Sequence, residues 1–271
     1  MSNVVDRNSL NQVLPFYHCS LNNSTVSALG NGLINQTYLV RSINSSFVLQ
    51  RINKHVFKQP EQVVENAELI NSHLHNKKEQ NQYPLTPMWQ ITTNNDSPMV
   101  IVEEEYWRAI QFIPNCYTVE AVDTPEQAKQ VAAAFGLFTS ALNDFPASQL
   151  NEIIPDFHHL DFRLQQLKEA VAADPKNRLA ECKELVDFCF EQQDFIHKVT
   201  ELVATLPVKV THNDTKINNL LFNSETKKPI AVIDLDTCMP GFIMHDFGDM
   251  VRTCCSNLPE DGTDLTNMQV R

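Results

Sequence analysis

Apolar positions change their period twice along this chain. In the first stretch they alternate or gather in short blocks, the signature of strands. ALGNGLINQTYLV, Ala28 to Val40, reads as strand, glycine loop, strand, and a third strand, SFVLQRI from Ser46 to Ile52, sets Val48, Gln50 and Ile52 on one face against Phe47, Leu49 and Arg51 on the other. A helix is expected from Gln59 or Pro60, with proline at its first position and Glu61 in its first turn. Two more strands are expected at Thr86 to Thr93 and Tyr106 to Pro114, with the turn NNDSP and an acidic EEE between them. Strand pattern stops at Pro114, Asn115 and Cys116 and stays away for more than ninety residues.

The second stretch is helical. Thr124 caps a helix with Pro125 at its first position and Gln127 completing a capping box; Ala128, Val131, Ala132, Phe135 and Phe138 form its apolar stripe. Gly136 inside it is expected to permit close packing. A shorter helix carries Leu160, Leu164, Leu167 and Val171, and a pattern from about Arg178 to Leu206 keeps Cys182, Leu185, Cys189, Ile196, Val199 and Val203 on one side, where the two cysteines read as core. The third stretch returns to short apolar blocks with polar ends: VTHNDTKINNLLFN, Val210 to Asn223, and PIAVIDLD, Pro229 to Asp236. Two antiparallel strands joined through SETKK place Asn219 opposite Ile233, one residue from Asp234.

The polar residues at the ends of that hairpin carry the chemistry. Asp214, four residues, Asn219, then Asp234 on a later strand is the spacing of a phosphoryl-transfer site, in which the first Asp takes the proton of the attacking hydroxyl and the other two hold Mg2+. Hard oxygen ligands suit that ion, and one or two suffice because phosphates and water complete the octahedron. His212 is expected to order the loop rather than to act as base. The plain alternative is a surface hairpin with polar ends. In the Gly30, Asn31, Gly32 loop, backbone N–H groups can cover nucleotide phosphates, although a plain hairpin turn explains that motif as well.

Composition narrows the class. A formal net charge of -12 over 271 residues opposes nucleic acid and anionic membrane as partners. No run of 18 apolar residues exists, and MSNVVDRNSL lacks the regions of a signal peptide, so a cytoplasmic location is expected. The seven cysteines show no CxxC or Cys/His zinc spacing and read as reduced thiols.

A β-rich segment with a glycine loop, then helices, then HNDTKINN, IDLD and HDFGD, resembles the aminoglycoside phosphotransferase and choline kinase group of the protein-kinase-like fold. LQRIN, PDFH at Pro155 to His158, THNDTKINN and IDLDTCMPGFIMHDFGDMVR are similar to bacterial N-acetylhexosamine 1-kinases. The resemblance implies an α+β, bilobal protein-kinase-like fold: a small antiparallel β lobe with one helix over residues 1–114, and a mostly helical lobe over 115–271 that carries the catalytic hairpin. It implies ATP and Mg2+ as cofactors, Asp214 as base, Asn219 and Asp234 as metal ligands, and the loop from Gly30 through Asn35 to Thr37 as phosphate cover. Adenine would dock on the backbone between Gln111 and Cys116, beside Phe112 and Asn115. Asp236 either assists the site or orders the next loop, and Asp246 and Asp249 brace the fold.

Two departures stand out. Many relatives carry a phosphate-pairing Lys on the third strand, where this chain has Gln50. Either Gln50 meets the phosphates without charge, or a bulge turns Arg51 inward; Glu65 is the expected helix partner. Relatives also continue well past HDFGD into helices that enclose the acceptor, so part of a sugar pocket is expected to be missing. The expected reaction is phosphorylation of the anomeric hydroxyl of an N-acetylhexosamine. An aminoglycoside, choline or homoserine acceptor is one alternative, and a non-catalytic nucleotide-binding regulator another.

Overall fold

A computed structural model describes residues 7–30, 34–43, 45–258, 262 and 264–271. These divide into two compact units, one running up to Ile153 and resuming at Lys209, the other spanning Ile154–Val208.

The first unit opens with α1, Arg7–Val13, and a 3-10 turn, Leu14–Tyr17, where the sequence gives no helical period. β1, Ser24–Ala28, β2, Gln36–Ser42, and β3, Ser46–Ile52, follow, then α2, Pro60–Glu79, with proline at its first position as expected. β4, Gln90–Ile91, β5, Met99–Val102, and β6, Glu105–Gln111, complete an antiparallel sheet of order β1-β2-β3-β6-β4, with β5 also paired to β6. Tyr38, Val40, Phe47, Leu49, Trp107 and Ala109 cover one face and pack with Leu10, Val13, Leu14 and Tyr17. Because side chains alternate along a strand, Thr37, Gln50 and Arg108 all project from the opposite face.

The strand expected over Thr86 to Thr93 shrinks to two residues. Pro87 has no N–H to give a ladder, and the Thr86 N–H is taken by the Ile230 carbonyl at 2.7 Å. β5 is an addition. Its turn into β6 uses Glu103 and Glu104, both at positive φ (51° and 61°), where a two-residue hairpin ordinarily shows Asn-Gly.

β7, Cys116–Tyr117, pairs with a later strand despite the expected loss of strand pattern, since two residues are too few to show a period. α3, Pro125–Ala141, starts as expected: Thr124 accepts from the Gln127 N–H at 3.2 Å, while Gln127 Oε1 accepts from the Asp123 N–H at 2.8 Å. Gly136 lies on an exposed face with open space where a Cβ would stand, so it serves no close packing.

The second unit holds α4, Leu160–Ala173, α5, Leu179–Glu191, and α6, Gln193–Val203. Asp161 accepts from Thr200 Oγ1 at 2.6 Å and ties α4 to α6. The long helical pattern is broken at Gln192, whose N–H turns to the Cys189 carbonyl at 3.2 Å. Cys182 is exposed rather than core, as is Leu185 on the same expected stripe; Val186 and Ile196 are the buried positions of this pair.

Back in the first unit, β8, Lys209–Thr211, β9, Leu220–Asn223, β10, Pro229–Val232, and β11, Met239–Gly241, precede α7, Ile243–Cys254. The strands form a β10-β9-β7 sheet and a β11-β8 pair. Ala67, Ile70 and Leu74 of α2, Val131, Phe135 and Phe138 of α3, and Leu220, Phe222 and Val232 of the hairpin share one core with Leu235 and Cys238. That burial of aromatic and aliphatic groups is what holds the hairpin against the helices. No helix of the described residues is long and apolar enough to cross a membrane.

Candidate functional site

The hairpin keeps the expected register at its open end and shifts between Pro229 and Ala231 near the turn, where Pro229 lies opposite Phe222. Leu220 lies opposite Val232, the Ile233 N–H donates to the Asn219 carbonyl at 2.9 Å, and Asn223 Oδ1 caps the turn by accepting from the Glu225 and Thr226 N–H groups. Asn219 is buried at the end of a 3-10 turn, Ile217–Asn219, with its amide nitrogen donating to both the backbone carbonyl and Oδ2 of Asp214, each at 2.8 Å. An amide whose nitrogen is so held turns its oxygen the other way. Lys216 stands 3.2 Å from the same Asp214 Oδ2, so one carboxylate oxygen is fixed by two donors. Among the described residues, Asp214 Oδ1 accepts no hydrogen bond.

After Ile233 the chain turns sharply through Asp234, which adopts a left-handed conformation (φ 59°), into a 3-10 turn, Leu235–Thr237. Asp234 is pushed up to about 7, first by the low-dielectric protein around it, then by repulsion from Asp236 and Asp214, with Arg108 and Lys216 opposing. Its side chain still meets solvent, which weakens the first cause and leaves repulsion the firmer one. Asp234, repelled by Asp236 and Asp214, and the buried Asn219 amide offer hard oxygen donors of the kind a divalent ion takes, while no group of three His, Cys, Asp or Glu among the described residues is gathered to hold a metal.

The loop before Asp214 is braced from behind. His212 is fully buried, edge-on to Phe135 and Phe138, and its Nε2 lies 3.0 Å from the Ile233 carbonyl. A carbonyl only accepts, so that nitrogen carries the proton and the ring is a spacer between α3 and the turn to Asp234. The His212 and Asn213 N–H groups donate to the two oxygens of buried Asp246 at 2.9 and 2.7 Å. Asn213, itself left-handed (φ 64°), gives its amide to the Thr237 carbonyl at 2.8 Å, and Thr237 Oγ1 returns a bond to the His212 carbonyl at 2.8 Å. Two strained turns, one leading to Asp214 and one following Asp234, are thereby stapled together.

On the sheet side, Gly30 takes the positive φ (73°) that its loop demands, while Asn31 and Gly32 lie outside the described residues. Asn35 Oδ1 accepts from the Asn53 N–H at 3.0 Å and its amide donates to Asp236 Oδ2 at 2.6 Å. Thr37 accepts from Gln50 Nε2 at 3.1 Å. Gln50 Oε1 accepts from Arg108 Nε and Nη2 at 3.0 and 2.8 Å, and Arg108 Nη2 also binds Asp236 Oδ1. Asp236 therefore belongs to a 3-10 turn clamped by Arg108 of β6 and by Asn35 just before β2, rather than to an extended strand shared with Asp234.

β3 pairs regularly with both neighbours, with no bulge to turn Arg51 inward; Arg51 lies over Trp107 and near Glu105 on the far face. Glu65 is exposed and accepts from Asn151 at 3.0 Å. The buried residue next to it, Asn66, donates to the Asn151 and Cys238 carbonyls, each at 2.9 Å. Phe112 carries the Arg41 guanidinium 5.8 Å from its ring centre, and Asn115, left-handed (φ 56°), accepts from the Ser224 N–H at 2.9 Å. Sequence reasoning missed Lys216 and Arg108. Lys216 was in view, two residues past Asp214; Arg108 gave no signal, because its place opposite Gln50 depends on pairing strands that are distant in sequence.

Solved structures share this fold. An aminoglycoside phosphotransferase from Alicyclobacillus acidocaldarius is 16% identical, with 89% of this chain and 70% of that one covered and a TM-score of 0.55. The GDP complex of aminoglycoside 2'-phosphotransferase-IIIa is 15% identical over 92% of this chain and 79% of that one, with a TM-score of 0.60. A spectinomycin phosphotransferase in complex with ADP and spectinomycin is 17% identical over 90% and 73%, with a TM-score of 0.52. These likenesses establish the mixed α+β, protein-kinase-like fold. The sequence model of the phosphotransferase enzyme family matches residues 25–264, nearly the whole chain and every residue of the Asp214, Asn219 and Asp234 constellation. On that match the chain belongs to the phosphotransferase enzyme family.

Proposed function

We propose that the chain transfers the γ-phosphoryl group of ATP to a hydroxyl of a small molecule, and that the acceptor is the anomeric hydroxyl of N-acetylglucosamine or N-acetylgalactosamine. The observation that carries the reaction type is the asymmetric Asp214 carboxylate, with Oδ2 fixed by Asn219 and Lys216 and Oδ1 left open. A carboxylate so anchored offers its second oxygen in one direction, as a base must to orient the attacking hydroxyl.

In this reading Asp214 Oδ1 accepts the acceptor's proton as the bond to the leaving phosphate loosens. Lys216, 3.2 Å from Asp214 Oδ2, adds positive charge beside the transferred group. Asn219 and Asp234 would hold Mg2+, which when bound would neutralise charge on the phosphate oxygens. The partly exposed Asp214 can then release its proton to solvent. The amino-sugar acceptor is supported by the resemblance of LQRIN, PDFH and THNDTKINN to N-acetylhexosamine 1-kinases. The ligands of the solved neighbours, GDP, ADP and spectinomycin, are consistent with a nucleotide and a polyhydroxylated acceptor.

Incubation with Mg2+-ATP and each of N-acetylglucosamine, N-acetylgalactosamine, kanamycin, choline and homoserine, followed by phosphorus NMR, tests it. An anomeric phosphate is expected from an N-acetylhexosamine, with turnover lowered at least about 100-fold in Asp214→Asn. Phosphate on another acceptor would move the specificity, and full turnover in Asp214→Asn would remove the mechanism.

A further inference from the structure

We propose that Arg108 of β6 supplies the positive charge that β3 lacks, meeting the α- and β-phosphates of the nucleotide from the strand beside Gln50. The proposal rests on the nucleotide reading above and deepens it.

Four observations converge. Arg108 is the one buried Lys or Arg among the described residues, and it is paired with an equally buried carboxylate, Asp236. It sits directly across from Gln50 in the β3–β6 register, so the two side chains leave the sheet side by side on the face away from Trp107. Its guanidinium binds Asp236, two residues after Asp234. The cation is thus held two residues from Asp234, the metal ligand of the reading above. Finally, Gln50 is already committed. A guanidinium only donates, so the Gln50 carbonyl must face Arg108, which leaves its amide to Thr37. Gln50 therefore aims Arg108 rather than acting as the phosphate ligand.

The geometry also explains why a Lys is not needed on β3. Arg108 has five N–H donors in a planar fork, and Asp236 and Gln50 engage only the Nε and Nη2 side of it. Among the described residues, Nη1 donates no hydrogen bond and is left for a phosphate oxygen. Asp236, held from its other oxygen by Asn35, keeps the fork in place while the nucleotide exchanges.

Two variants test this. Arg108→Met combined with Asp236→Asn removes both charges without leaving either buried alone. Gln50→Glu sets a carboxylate against the fork and neutralises it in place. Titration calorimetry with adenosine, ADP and Mg2+-ATP is the readout. Both variants are expected to bind adenosine like the wild type and to lose about 10- to 100-fold in affinity for ADP and ATP. Gln50→Lys added to the double variant is expected to restore most of that loss. Unchanged ADP affinity in Gln50→Glu, or an equal loss for adenosine and ADP, would overturn the assignment while leaving nucleotide binding intact. A wild type that binds no nucleotide would instead overturn the reading on which the assignment rests.

Discussion

His212 has no free nitrogen to offer a substrate. One ring nitrogen is spent on the Ile233 carbonyl and the other, Nδ1, is buried among the described residues without a partner, between two phenylalanine rings. Its value is dimensional: it sets the spacing between α3 and the turn to Asp234. His212→Ala opens a cavity and frees that carbonyl, so we expect a loss of about 2–4 kcal/mol in urea unfolding. His212→Ala is also expected to cut turnover, with the thermal loss large enough to exclude a purely chemical role. A stable variant with turnover abolished would return His212 to the list of bases. At this scale the site was legible wherever its members share one local segment, as Asp214 and Asn219 do. Arg108 was hidden because nothing local to YWRAIQ tells an inward arginine from the outward arginine of QRI.

The β8–β11 pair shows how an element depends on a contact too close for a side chain. A Cβ at Gly241 would strike the Thr211 side chain, whose Oγ1 bonds the Met239 carbonyl at 3.1 Å. Gly241→Ala should cost about 1–3 kcal/mol by overpacking. Thr211→Ala alone should cost less than that, about 1 kcal/mol for its lost hydrogen bond. In the double variant the two costs should fall short of their sum, because removing Thr211 Oγ1 relieves the collision. Strict additivity in a denaturant double-mutant cycle would contradict the close approach. Elements with a full period were readable from the chain: β3 matches to the residue because seven residues alternate cleanly. β4, β5 and β7 were shortened, missed or unseen because two to four residues carry no period, and because Pro87 and the Glu103–Glu104 turn disguise their ends.

For the molecule as a whole, carboxylates dominate: the net charge is -12, and the site concentrates three of them. Asp234 titrates near 7 in the folded chain against about 3.9 for an unfolded Asp. Between those values the folded state keeps a proton that the unfolded state has lost. This group's stabilising contribution is therefore fully present at low pH and is lost as pH rises toward 7. On the proposed site, Mg2+ bound at Asp234 would remove that penalty by neutralising the ionised form. Mg2+ alone should raise Tm clearly at pH 8 and little at pH 5.5, and Asp234→Asn should flatten the difference. Equal shifts at both pH values, or an undiminished shift in Asp234→Asn, would place the ion elsewhere.

The bracing of the Asp214 loop has a consequence for hydrogen exchange. Loop amides ordinarily exchange within the first opening events, yet the His212 and Asn213 amides are donated to both oxygens of a buried carboxylate. Their deuterium uptake should follow global unfolding, in step with the strands of the core and far slower than the Gly30 flank of the glycine loop. The backbone leading into Asp214 is then expected to stay as still as the hydrophobic centre of the fold.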